Sequence, residues 1–329
     1  MEQFSARDHN NRGALLQTQG DFDGASAAYA LALELDPRDA TALNNSAFLS
    51  VQTGDLPGGI ARYRRALEID PQRSTVHANL GGALALAGET AEAADELETA
   101  VSLDAQNLLA WEALAQCRLL QQDPARAEQA YRRAAWLLPE QPQLLTRLGS
   151  VIAVQGRVAE AVELFQQAAA LDPADPRPWQ QWSAVAMARQ DYGTAGDLLR
   201  HAMELEPEDR EANYQMAMLC VARGDAAGAE ELLRKVLERD PGFADARENL
   251  GVLLLASNRA AAALELLAPA KDGDVAGSRA RYYYAAALAA ARRPDEATGL
   301  MRALAGTGDA TPDRYAALAA QFLTRGGKP

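Results

Sequence analysis

Two cysteines in 329 residues are too few for a disulfide framework, and neither Cys117 nor Cys220 belongs to a CxxC pair. Only three histidines occur, His9, His77 and His201, spread too widely to share a metal ion. Aromatic residues make up 6% of the chain although 48% of it is hydrophobic. Much of the remainder is alanine, which suits closely packed helices and argues against a large sheet. No apolar run reaches the roughly 20 residues that cross a bilayer. The opening MEQFSARDHN lacks the basic and apolar regions of a signal peptide, so a cytoplasmic location is expected. There is no Walker loop, GxGxxG or GxSxG, and hence no phosphate cradle, dinucleotide fingerprint or nucleophile elbow. Positive charge is also short: 32 Lys and Arg face 45 Asp and Glu, giving a net charge of −13. That disfavours nucleic acid and anionic membrane surfaces as partners. Solubility is the simplest role for the acidic surplus, and a neutral or mildly basic partner is the easiest to accommodate.

What the chain has is a period. Proline recurs at Pro37, Pro71, Pro139, Pro173, Pro207 and Pro241, with gaps of 34 residues or twice that. A fixed period of this length marks a solenoid of stacked supersecondary units. With Ala6 as position one, the eighth position is small in every copy, from Gly13 and Ala47 to Gly251 and Ala285. The twentieth is alanine or glycine, and the twenty-fourth is always large, as in Tyr29, Tyr63, Phe165 and Met301. Small residues let two helices approach, and the large one fills the space between them. Within a copy, Leu144, Leu145, Leu148, Val151 and Ile152 keep helical spacing, Gly156 suits a left-handed cap, and Asp172–Pro173 ends a second helix. Asp123–Pro124 reads as an N-cap with a proline at N1. Nine repeats start near residues 6, 40, 74, 108, 142, 176, 210, 244 and 278, followed by a lone capping helix at 311–325. Residues 1–329 are therefore expected to form one solenoid, all-α, with no sheet.

Departures fall late. Val236 and Leu304 replace the alanine of position twenty-seven, and Val275 replaces the proline. In LLAPAKDGDVAGS, at 266–278, Pro269 should end a helix about two turns early. The DGD at 272–274 lacks the spaced acids and distal glutamate of a calcium loop and reads as a turn. Cys117 and Cys220 lie three repeats apart, on the order of 30 Å at about 10 Å per repeat, and should be free half-buried thiols. His9 and His77 occupy a packing position and read as core histidines, not ligands. Arg64, Arg65, Arg132 and Arg133 read as a solvated helix face.

Leu80–Gly81, Leu148–Gly149, Leu250–Gly251 and AEAVELFQQAAALDP at 159–173 carry a resemblance to the tetratricopeptide repeat family, over nearly the whole chain. The resemblance implies a right-handed superhelix of helix-turn-helix repeats, with the first helix of each repeat lining the concave surface. Positions two, five, six, nine, twelve and thirteen share one face of that helix. The sixth reads Asn11, Asn45, Asn79, Ala113, Arg147, Gln181, Gln215, Asn249 and Tyr283. A carboxamide offers both a donor and an acceptor, so a row of them suits the backbone of an extended chain. This resembles the asparagine ladder in the repeat domain of O-linked N-acetylglucosamine transferases. It predicts Asn11, Asn45 and Asn79 with exposed amides, not tied up within their helices. Asn10, Asn44, Arg177, Tyr214 and Tyr282 complete the candidate groove, with the tyrosines as anchors. The family's carboxylate clamp is absent, because Asn10 and Ala14 stand where its cations belong.

The expected function is a non-enzymatic scaffold that binds an extended or helical protein segment in the groove, with no cofactor or metal. Two alternatives accompany the resemblance: the recognition module of a glycosyltransferase or sulfotransferase, and a self-assembling structural protein.

Overall fold

A computed structural model describes residues 4–271, 277–306 and 314–324. The DGD at 272–274, Gly273, Val275, residues 311–313 and Arg325 lie outside the described residues. Nineteen α-helices account for the fold, with no strand among the described residues. The contacts divide the chain into two compact units, with the boundary between Pro173 and Ala174.

The first unit holds five helical hairpins: α1 (Ala6–Thr18) with α2 (Phe22–Leu35), α3 (Ala40–Gln52) with α4 (Leu56–Ile69), α5 (Ser74–Leu86) with α6 (Thr90–Leu103), α7 (Leu108–Leu120) with α8 (Pro124–Leu137), and α9 (Pro142–Val154) with α10 (Val158–Leu171). The second holds α11 (Arg177–Ala188) with α12 (Tyr192–Leu205), α13 (Arg210–Arg223) with α14 (Ala226–Arg239), α15 (Ala244–Ala256) with α16 (Ala260–Leu267), α17 (Ser278–Ala290) with α18 (Pro294–Ala305), and the single α19 (Arg314–Thr324). The early stop at Pro269 is as expected: α16 has only eight residues and passes into a 3-10 turn, Ala268–Lys271. The terminal helix buries Ala316, Ala319 and Phe322.

Five of the nine hairpins close on a side-chain cap. Asp21, Asp55, Asp123, Asp191 and Asp225 each accept a hydrogen bond from the backbone N–H three residues on, satisfying a donor that the first turn leaves open. Inside, the small-against-large rule is visible in atoms. A Cβ built on Gly149 would lie 2.7 Å from the Phe165 ring, and one on Gly13 would lie 2.6 Å from Tyr29. All nine residues of the twenty-fourth position are buried. Val236 and Leu304 keep the core closed at position twenty-seven.

Within each unit the second helix of one repeat packs on the first helix of the next. First helices also touch one another directly, as α1 does α3, α3 does α5 and α5 does α7 in the first unit, and as α11 does α13 and α15 does α17 in the second. Second helices do not reach one another in this way among the described residues. The first helices therefore crowd together on one side, which is the inner face.

Candidate functional site

On the inner face of the first unit the amides are engaged with each other. Asn45 Nδ2 donates to Asn10 Oδ1 at 3.0 Å, and Asn79 Nδ2 donates to Asn44 Oδ1 at 3.0 Å. Asn44 Nδ2 donates to Asn45 Oδ1 at 3.2 Å and links the two pairs. Asn10, Asn44, Asn45 and Asn79 thus form one chain of carboxamides across three repeats. The pairing has a rule: position six of one repeat meets position five of the repeat before it, 35 residues earlier. Arg147 obeys it by donating to Glu112 at 3.0 Å, and in the second unit Asn249 donates to the Tyr214 hydroxyl at 2.8 Å. The offset is one repeat plus one residue because adjacent first helices are staggered where they touch.

This modifies the expectation for the amide row. Asn11 is exposed. Asn45 and Asn79 are half-buried and bonded across repeats, and Asn10 is buried. The Asn45 amide is bonded to Asn44 of its own helix as well as to Asn10, and the amides together close the seam between repeats.

The second unit is more polar. Glu211, Asp245, Glu248, Arg177 and Arg279 share its inner face. Arg177 is exposed and bonds Asp175 at 2.7 Å. Gln215 donates to Glu211 at 3.0 Å within α13. Gln181 is half-buried on α11. Burial pushes the Glu248 carboxyl above its ordinary pKa, against the pull of Arg279. Tyr282 and Tyr283 pack edge-on at 5.4 Å between ring centroids, and Tyr315 of α19 joins them at 5.8 and 6.0 Å. The three rings fill the space between them, so Tyr282 and Tyr283 are partly core. No sequence register links Tyr315 to them, because it lies outside the nine repeats.

A second missed feature is apolar. Leu86, Leu120 and Val154, all at position thirteen, are 72%, 63% and 77% exposed. The signal was in the sequence, as large aliphatics recurring every 34 residues on the groove face.

The other candidates have structural roles. His77 lies between Glu96 Oε2, 2.5 Å away, and the Pro71 carbonyl, 3.0 Å away. His201 packs edge-on against Trp179 at 4.4 Å. Cys117 is fully buried and Cys220 half-buried; both are free, and burial raises both thiol pKa values. No group of metal-ligating side chains exists among the described residues. No described helix is long and apolar enough to cross a membrane. Arg64 and Arg132 are not simply solvated, since each reaches a glutamate of the next repeat, Glu92 and Glu160, at 2.7 Å.

Two family profiles described as tetratricopeptide repeat match the chain, one over residues 50–117, 186–234 and 221–276, the other over 10–74 and 133–176. A tetratricopeptide repeat protein from Parabacteroides merdae ATCC 43184 is similar at 14% identity, over 76% of this chain and 98% of that one, with a TM-score of 0.63. Human IFIT1, solved as a dimer with m7Gppp-AAAA, is similar at 14% identity over 99% of this chain and 82% of its own, with a TM-score of 0.60. YrrB, described as a TPR protein with an unusual peptide-binding site, is similar at 22% identity over 57% of this chain and 96% of its own, with a TM-score of 0.50. At these identities the likeness establishes the fold. No curated protein matches the sequence.

Proposed function

The chain belongs to the tetratricopeptide repeat family, and from that premise we propose that it is a non-catalytic scaffold that holds a segment of a partner protein against the inner faces of its first helices. The observation that carries this reading is the direct contact between successive first helices. It sets neighbouring first helices side by side, one position out of register, so that side chains from several repeats are available to one ligand together. Within a unit the partner segment lies across the first helices, extended or helical; the candidate polar contacts are Asn11 and the groups that the amide row leaves over in the first unit and, separately, Arg177, Gln181, Gln215 and Asn249 in the second. YrrB is described by its peptide-binding site, which agrees with this reading. IFIT1 shows the fold holding a capped RNA. The net charge of −13 favours a protein segment over RNA here, because RNA binding draws on cationic contacts to phosphates.

The test is selection of displayed random peptides on the whole chain. Enriched peptides are expected to lose binding to Leu120→Asp, on the inner face, and to keep binding to Leu31→Asp, on α2. A library from which nothing is enriched, or peptides lost equally by both variants, rejects the reading.

A further inference from the structure

We infer that the inner face of the first unit takes an uncharged segment whose apolar side chains meet the row formed by Leu86, Leu120 and Val154. The inference rests on the scaffold function proposed above and names the chemistry of its partner.

Position thirteen belongs to the inner face by geometry. Positions five, nine and thirteen stand four apart and so lie on one stripe of a helix. The bonds of Asn10 and Asn44 to the next repeat fix where that stripe points. Single exposed aliphatics are ordinary on a protein surface. Three at one register of consecutive repeats, each more than 60% exposed, line up along the inner face, and exposed apolar side chains gathered on one face mark an interaction site.

The same registers are treated differently in the first two repeats. There Gln17 Nε2 donates to Gln52 Oε1 at 2.8 Å, and Asn45 closes on Asn10. Position thirteen turns apolar from the third repeat, where Leu86 stands in place of Gln52, and position six is apolar in the fourth, where Ala113 stands in place of Asn45 and Asn79. The polar seam is satisfied by the chain itself, whereas the exposed aliphatics have no counterpart within it.

Charge selects the occupant. In a chain with 23% charged residues, positions two, five, six, nine, twelve and thirteen of repeats two to five contain one glutamate and one arginine. These are Glu112 and Arg147, and they neutralise each other at 3.0 Å. Arg73 reaches onto this face to Thr41 at 3.0 Å and lies 3.7 Å from Asp70. A charged segment laid here would lose water and find no free counter-charge. An uncharged segment with aliphatic or aromatic side chains loses nothing polar and covers the row. One repeat advances by about 10 Å, or roughly one turn of a polyproline II segment, three residues at about 3.1 Å each, which returns every third side chain to the same face. The expected ligand therefore carries an apolar residue at every third position.

The experiment is selection of displayed random dodecapeptides on the whole chain, followed by synthesis of the enriched ones. Enriched peptides should be depleted in Asp, Glu, Lys and Arg and apolar at every third position. Their affinity, read by fluorescence anisotropy, should change less than about twofold between low and high salt. It should fall about tenfold or more in the triple variant L86S/L120S/V154S, with an unchanged thermal melt because all three residues are exposed. Val154→Ser alone gives the same direction if the triple variant folds poorly. Enriched peptides that are charged, or that bind both variants as they bind the native chain, overturn the inference and leave the scaffold reading standing. No enrichment overturns both. A dimer of the native chain that sediments as a monomer in the triple variant assigns the row to a second copy and overturns the inference.

Discussion

The fifteenth residue of every repeat lies in the left-handed region of backbone space. Five are glycines, Gly20, Gly54, Gly88, Gly156 and Gly224, and the other four are Gln122, Gln190, Asn258 and Arg292, with φ between 58° and 63°. The turn between the two helices requires that conformation, and for a residue with a Cβ it costs about 1–2 kcal/mol. Replacing Gln122, Gln190 or Arg292 by glycine should therefore raise stability by about 0.5–1 kcal/mol each, after the entropy that glycine loses on folding. Gly156→Ala should lower it by about 1 kcal/mol. Denaturant unfolding of the single variants checks both signs. The glycines announce this turn in the sequence. Gln122, Gln190 and Arg292 do not, since nothing in glutamine or arginine favours positive φ, and only the register of 34 places them there.

At the scale of the element, the helices were legible and the bonds between them were not. Repeat spacing, caps and small-large pairs gave every hairpin, because each of these signals lies within one repeat. The seam joins residues 35 apart, one position out of register, and that stagger exists only in three dimensions. It changes what the asparagines should do. Asn45→Ala and Asn79→Ala each leave an amide of the preceding repeat without its donor and should cost about 1 kcal/mol, whereas Asn11→Ala should be neutral or slightly stabilising. Thermal melts of the three separate these outcomes; equal melts would return the row to a purely ligand-facing role. A second strap runs between α8 and the start of α10. Buried Glu128 accepts from Arg157 at 2.7 Å and from Gln155 at 2.6 Å, and it also pairs with Arg132. Burial alone would raise its pKa, but the bonds from Arg157 and Gln155 and the charge of Arg132 outweigh it and hold the carboxyl below its ordinary value. A lowered folded pKa contributes stability above the ordinary carboxylate range, and that contribution is lost as the pH falls through the folded value. Glu128→Gln should thus be less stable than the native chain by about 1–3 kcal/mol at neutral pH, with the gap narrowing in acid. A gap that widens in acid would contradict this assignment.

For the whole molecule, the all-α repeat architecture followed from the period alone. The boundary at Pro173–Ala174 did not, because the register of 34 runs through it without an insertion. The one local hint is the proline cluster Pro173, Pro176 and Pro178. The terminal helix buries Phe322 and Ala319 in the cluster that holds Met301 and Leu304. Deleting residues 311–329 should uncover that apolar surface and raise light scattering in proportion to concentration. If a partner segment binds on the inner face of the first helices, side chains on that face should sense it and those on the second helices should not. Methyl NMR on leucine- and valine-labelled protein, titrated with a selected peptide, reads both. The Leu86, Leu120 and Val154 methyls should shift while those of Leu31, Leu35 and Leu171, on second helices, stay in place. Shifts confined to the second helices would contradict binding on the inner face.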